Sequence, residues 1–334
     1  MCSSMTDSMR ENKKTAEEEN TKNETTENEK AVCQKISHRI LLPVLSVSVV
    51  LLGMGWYKEQ DIKAFIATFQ KNKEVVVPAN TETSSELVNQ VFPQAGVVLP
   101  IEWGNFSEQM MTAGVIDRKK FDDLYAKQGG LTEAEKKLLS KQEGPIVMTW
   151  DNSNILLTLL WAFGLGNKND ILEKGPMTDT QYGGAEKFAS TGGWNIASGK
   201  TMDHYSKHRF VTLTSEEQAL VERVSQNIYR PCCGNSTYFP DCNHGMAMLG
   251  LLELLAKQNV SEDDMYAVAL QVNAYWFSDT YLTLARYFES QGTSWQNIDP
   301  KTVLGKEYSS SAGYRSILQK VNPSQNKGGP SCSL

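Results

Sequence analysis

Four side chains with soft donor atoms fall within thirteen residues of this chain: Cys232, Cys233, Cys242 and His244, in residues 231–245 (PCCGNSTYFPDCNHG). Thiolate and imidazole are the donors that select zinc, copper or iron over harder ions. Upstream, His204 and His208 stand four residues apart. On a helix that spacing turns both rings to one face, which makes them second-choice ligands. The chain has only four His, and three of them lie between positions 204 and 244, interleaved with three of the six Cys. Adjacent cysteines seldom both grip one ion in a tetrahedral finger, so the spacing is not that of a zinc ribbon. It fits one of the pair as a ligand and the other as a redox partner. Gly234, Asn235 and Pro240 supply the turns that fold the pair back onto Cys242 and His244.

Other chemistry fits the same residues. Cys242 precedes an apolar run that Asp241 or Asn243 would cap, and the N–H groups of such a helix start stabilise a thiolate. A disulfide from Cys232 or Cys233 to Cys242 is natural if the domain lies outside the cytoplasm. A thiol redox switch is a further reading, and buried packing of the Cys the blandest. The segment DCNHGMAMLGLLELL resembles the helix start of papain-like peptidases, which implies a cysteine nucleophile at Cys242. Such enzymes need a His well downstream, and no His follows His244, so His204 or His208 would have to serve from upstream. A near match to a phosphate-binding loop runs from Gly193 to Thr201. It has five residues between its glycines where the motif needs four, and no apolar strand precedes it. Trp194 and Lys200 are the residues there that a ligand would use.

The elements that must position these groups read as helices. Thr132 with Glu135, and Thr214 with Glu217, are capping boxes. Asn152 or Ser153 caps the run from Ile155 to Phe163, and Ser261 caps a helix carrying Met265, Val268, Ala269, Val272 and Trp276 in register. Residues 243–257 are apolar almost all round, which marks the central buried helix, with Gly245, Ala247 and Gly250 allowing close neighbours. Residues 75–78 and 96–101 read as short strands or extended chain. Residues 175–200 lack apolar periodicity and read as a long loop of the kind that often carries function.

Ahead of the domain the composition changes sharply. Residues 1–35 are rich in Glu, Lys, Asn and Thr, and are expected to be a disordered tail. Residues 40–57 (ILLPVLSVSVVLLGMGWY) hold no charge across eighteen positions. As a helix they would span about 27 Å, close to a bilayer's hydrocarbon thickness. A single transmembrane anchor is therefore expected over residues 36–58. Lys35 and Arg39 on one flank, against Lys58, Glu59 and Asp61 on the other, place the tail in the cytoplasm and the remainder outside the cell membrane. No aromatic residue precedes Trp56, and a net charge of −6 argues against a nucleic-acid partner.

The expected architecture is all-α, one helical domain over residues 59–321 behind that anchor, with a loose tail at 322–334. The expected function is a membrane-anchored module binding a transition metal ion (Zn, Cu or Fe) through Cys232, Cys233, Cys242 and His244, with His204 and His208 in reserve. A structural or interaction protein with a protein partner and a disulfide or thiol-redox cluster is the alternative, and a cysteine-nucleophile enzyme the second.

Overall fold

A helix apolar on every side has nowhere to go but the centre. In the computed structural model, which describes residues 84–321, Asn243–Lys257 takes that place, and every residue from Asn243 to Ala256 is buried. The elements in chain order are α1 (Ser85–Val91), β1 (Val97–Glu102), α2 (Phe106–Thr112), α3 (Arg118–Ala126), α4 (Glu133–Lys137), β2 (Pro145–Met148), α5 (Ser153–Gly166), α6 (Asp170–Lys174) and α7 (Ala189–Gly192). There follow α8 (Ser215–Ser225), the central α9 (Asn243–Lys257), α10 (Glu262–Trp276), α11 (Ser278–Ser290), α12 (Pro300–Leu304), α13 (Lys306–Ser309) and α14 (Ser311–Val321). The expected tails, the anchor expected over residues 36–58, the stretch at 75–78, and Cys2, Cys33 and Cys332 lie outside the described residues. Among the described residues no helix is long and apolar enough to cross a membrane.

The partner that covers α9 most extensively is α5, whose residues Ile155 to Gly166 are all buried. The two backbones meet at Gly164 and Gly250. A methyl group on Gly164 would stand 2.2 Å from the Met246 carbonyl oxygen, and one on Gly250 would stand 2.6 Å from that of Leu160. No side chain fits at either position, which is the close approach the glycines of the sequence foretold.

The described residues are mostly helical, consistent with the all-α expectation, and carry one two-stranded sheet, with β1 where residues 96–101 read as a strand or extended chain. Strands β1 and β2 pair antiparallel, with Val97 opposite Met148, Val98 opposite Val147 and Leu99 opposite Ile146. Val97, Leu99 and Ile101 turn inward while Val98 and Glu102 face out, the period-two pattern of a strand covered on one face. The register slips between Leu99 and Glu102, where Pro100 has no N–H to give to a ladder.

Local capping follows the sequence closely. Both capping boxes form, and Ser261 accepts the Asp264 N–H to start α10. Asn152 stands at the start of α5 without capping it; its Oδ1 accepts the Thr149 N–H instead.

One charged residue sits in the middle of α9. Glu253 is fully buried, and its two carboxylate oxygens accept from Asn167 Nδ2 at 2.6 Å and Asn169 Nδ2 at 2.7 Å. The amides cannot flip. Asn167 Oδ1 already accepts the Val211 N–H, and Asn169 Oδ1 accepts from Ile171 N–H and Gln218 Nε2. Burial raises the Glu253 pKa well above its ordinary value of 4.5, and the two amide donors pull against that. Above pH 4.5 the unfolded chain has lost this proton while the folded chain keeps it, so stability declines as pH rises toward the raised folded value. The unfolding free energy of the wild type minus that of Glu253→Gln is expected to fall as pH rises from about 4.5 toward neutrality. Denaturant titrations across that range check it, and a difference that stays flat or grows would remove the buried proton from the account.

Candidate metal centre

The loop before α9 is held closed by its own backbone. Tyr229 pairs with Ser236 in an isolated antiparallel bridge, and Thr237 donates both its N–H and its hydroxyl to the Ile228 carbonyl. Inside that closure the Cys233 N–H bonds to the Arg230 carbonyl, turning the chain at Pro231 and Cys232. The Ser311 N–H donates to the Cys233 carbonyl and the Tyr229 N–H to that of Leu304, which ties the loop to the C-terminal helices. Asn235 Nδ2 reaches forward to Asp241 Oδ2 at 2.8 Å and brings the cysteine pair over the start of α9.

At that start the N-cap is Cys242 itself, with its thiol accepting the Gly245 N–H at 3.4 Å. Neither Asp241 nor Asn243 takes the role the sequence gave them. The Cys232 and Cys242 sulfurs lie 3.5 Å apart. The donor atoms of Cys232, Cys242 and His244 all fall within 4.8 Å of one another. A tetrahedral ion about 2.3 Å from each of two thiolates would hold the sulfurs about 3.8 Å apart. The three groups are thus near enough to hold a metal. His244 is buried, and its ring lies 4.3 Å from that of Phe277 and edge-on to Trp276 at 5.8 Å, so the end of α10 fixes the imidazole.

A second group shares the same sulfur: the donor atoms of Cys233, Asp241 and Cys242 also fall within 4.8 Å of one another. A cation already stands there. Arg230 is completely buried, and its Nη2 donates to Asp241 Oδ1 at 2.7 Å, to the Phe239 carbonyl at 3.3 Å and toward Cys242 Sγ at 3.7 Å. Burial works against the guanidinium charge, but Cys242, Cys233, Asp241 and Cys232 around it raise its pKa above the ordinary value. Bonding to Cys232 lowers the Cys233 pKa, yet Cys242 and burial outweigh it and push the thiol up to about 12. Cys233 Sγ meets the Asn235 carbonyl at 3.9 Å. Both groups are near enough to hold an ion, and in the second Asp241 is also the ion-pair partner of Arg230.

The guanidinium lies flat on the first turn of α9. A methyl group at Gly245 would be 2.7 Å from Arg230 Nη2 and 2.8 Å from its Cζ, so only a glycine leaves room. Sequence reasoning missed Arg230. The available signal was an arginine two residues before a cysteine pair, with an aspartate beside the third cysteine.

His204 and His208 join neither group. They follow and flank a short 3-10 turn, Thr201–Asp203, rather than riding a helix, and His208 bridges to Asn167. Their rings stack, with His204 Nδ1 3.1 Å from His208 Nε2 and His204 Nε2 2.8 Å from the Ser198 carbonyl. A carbonyl only accepts, so His204 carries its hydrogen on Nε2 and receives one from His208 on Nδ1. Both of its nitrogens are committed within the protein. Burial, and electrostatic interaction with the neighbouring His204, lower the His208 pKa. The loop at 175–200 folds into three short 3-10 turns and α7. Trp194 is buried there, donating Nε1–H to the Val115 carbonyl, and the Lys200 backbone N–H bonds to Asp203, so the near match to a phosphate loop is a structural turn. Comparisons of the chain with protein-family models, with curated proteins and with solved structures find no match.

The clearance at Gly245 sets a test of the arginine seat. Gly245→Ala is expected to lose about 1–3 kcal/mol of stability, the usual penalty of overpacking. Gly234→Ala, in the loop before α9 with nothing within 4 Å, should stay close to wild type. Thermal unfolding of the two variants decides it, and equal melting points would mean the guanidinium yields without strain.

Proposed function

We propose that the domain binds a soft divalent metal ion through Cys232, Cys242 and His244, and that zinc is its occupant. The observation that carries the reading is the convergence of two sulfurs 3.5 Å apart and one imidazole nitrogen within 4.8 Å of both.

Charge balance favours a divalent ion. Two thiolates, a neutral imidazole and a dication sum to zero, and the adjoining Arg230–Asp241 pair, at 2.7 Å, also sums to zero. A buried group with no net charge avoids the large penalty of an uncompensated ion. A monovalent copper ion in the same ligand set would leave one negative charge. The N–H of Gly245 and the Arg230 guanidinium both point to Cys242 Sγ, the kind of outer hydrogen bond that orients a ligand and tunes its ion. Three protein donors leave a fourth position for an exchangeable ligand, which suits handling or sensing as well as a structural role. The uncharged run at residues 40–57 supports tethering this module to the cell membrane, with residues 59–321 outside.

The full-length protein, purified without chelator, should carry about one equivalent of zinc by elemental analysis. Cys242→Ser and His244→Ala should each lose it, while Cys233→Ser should keep it. Replacement by cobalt should give a thiolate-to-metal charge-transfer band that disappears in Cys232→Ser. A wild-type protein with no bound metal after growth in zinc-replete medium, or a Cys242→Ser protein with undiminished metal, overturns the reading.

A further inference from the structure

The same pair of sulfurs carries a second chemistry that does not require an ion. We propose that Cys232 and Cys242 form a reversible dithiol–disulfide couple that exchanges with low-molecular-weight disulfides, with Arg230 stabilising its reduced form.

Three observations support it. The sulfurs lie 3.5 Å apart, so a disulfide of about 2.05 Å needs them to close by roughly 1.5 Å. The two thiols differ in access: Cys242 is buried and Cys232 is half-buried. The third is the guanidinium. Arg230 is fully buried, and its Nε and Nη1 have no hydrogen-bond partner among the described residues. Its Nη2 lies 3.7 Å from Cys242 Sγ, and the Gly245 N–H is 3.4 Å from the same sulfur. Nη2 and the Gly245 N–H both favour the state in which Cys242 Sγ is the stronger acceptor. That state is the reduced one, because a thiolate accepts a hydrogen bond more strongly than a disulfide sulfur. Stabilising the reduced form makes a disulfide a ready oxidant rather than a permanent staple.

The order of events follows from access. The Cys232 thiolate attacks one sulfur of an incoming disulfide RSSR, forming the mixed disulfide Cys232–S–SR and expelling RS⁻. The Cys242 thiolate then attacks Cys232 Sγ, forming the Cys232–Cys242 bond and expelling the second RS⁻. Two electrons pass from the protein dithiol to RSSR, and the two protons the cysteines gave up are taken by the two RS⁻ as RSH. Cys233 also lies within 4.8 Å of Cys242, and it is the 3.5 Å approach of the Cys232 and Cys242 sulfurs that selects Cys232 as the partner. Oxidation removes two of the three donors of the proposed zinc site, so ion and disulfide exclude each other.

The test uses the full-length protein, treated with chelator and a reductant, then equilibrated in mixtures of reduced and oxidised glutathione. After acid quenching, alkylation and peptide mass spectrometry, the expected result is a Cys232–Cys242 cross-link whose fraction titrates reversibly with the glutathione ratio. Cys233→Ser should leave the midpoint unchanged. Arg230→Met should move it about tenfold toward more reducing mixtures, the loss of one hydrogen bond to a charged group. Should that variant fail to fold, Cys242→Ser stopping at a Cys232–glutathione mixed disulfide supplies the second reading. Persistence of both thiols in fully oxidised glutathione, or a cross-link through Cys233, overturns the proposal. Metal-free preparation keeps the two ideas apart: a protein that never binds zinc can still form this bond, and one that binds zinc can fail to form it.

Discussion

The fold depends on placing one apolar helix at its centre with a buried guanidinium against its first turn and a buried carboxyl group in its middle. Among the described residues, Arg230 and Glu253 are the charged side chains with no exposure, and both are engaged with α9. Apolar packing alone would let such a helix slide or rotate at little cost, since one apolar face resembles another. A buried polar or charged group does not tolerate that freedom, because removing its partners costs far more than losing a methyl contact. Arg230 presses on the first turn at Gly245, while Glu253 takes its two amide donors from the segment after α5. Together with the glycine crossing of α5 and α9, these contacts fix the axial position and the rotation of the helix.

The candidate site is a consequence of that fixing. Cys242 and His244 stand at the start of α9, and Cys232 on the loop whose arginine pins that start. Arg230 anchors the loop to Asp241 and faces the shared sulfur. The residue that sets the helix is therefore also the residue that sets the electrostatics of the thiols. Stability and chemistry are coupled through one guanidinium.

How much of this the sequence discloses depends on the range of each interaction. The capping boxes at Thr132 and Thr214, the Ser261 cap and the central helix all arise from neighbours within four residues, and each forms as read. The close crossing at Gly250 was legible for the same reason, since small residues on an apolar helix have few other uses. The strand pair was legible only in part: β1 has the right alternation, but a strand forms only with a partner, and β2 lies more than forty residues on. For the histidine pair, a spacing of four implies one face only if the backbone is helical. Here Ser206, between the two, adopts a positive φ and breaks any helix across them. The convergence of Cys232, Cys242 and His244 was visible as a density of rare donors. Arg230 was not, because ion pairing is decided by where the chain brings charges together.

The cap of α9 runs against the local preference at its N-cap. A thiol is a weak acceptor, and Ser, Thr, Asp or Asn at an N-cap is generally better by about 1 kcal/mol. The chain has Asp241 and Asn243 on either side of Cys242, so a shift of one residue would supply a strong cap. That shift would rotate the helix by roughly 100° and carry His244 and Gly245 away from their places. Asp241 is instead spent on Arg230 and Asn235, and Asn243 becomes the first helical residue. A local preference is overruled at the one turn where two sulfurs, an imidazole and a buried cation meet. Departures of that kind gather where a protein works rather than where it merely folds.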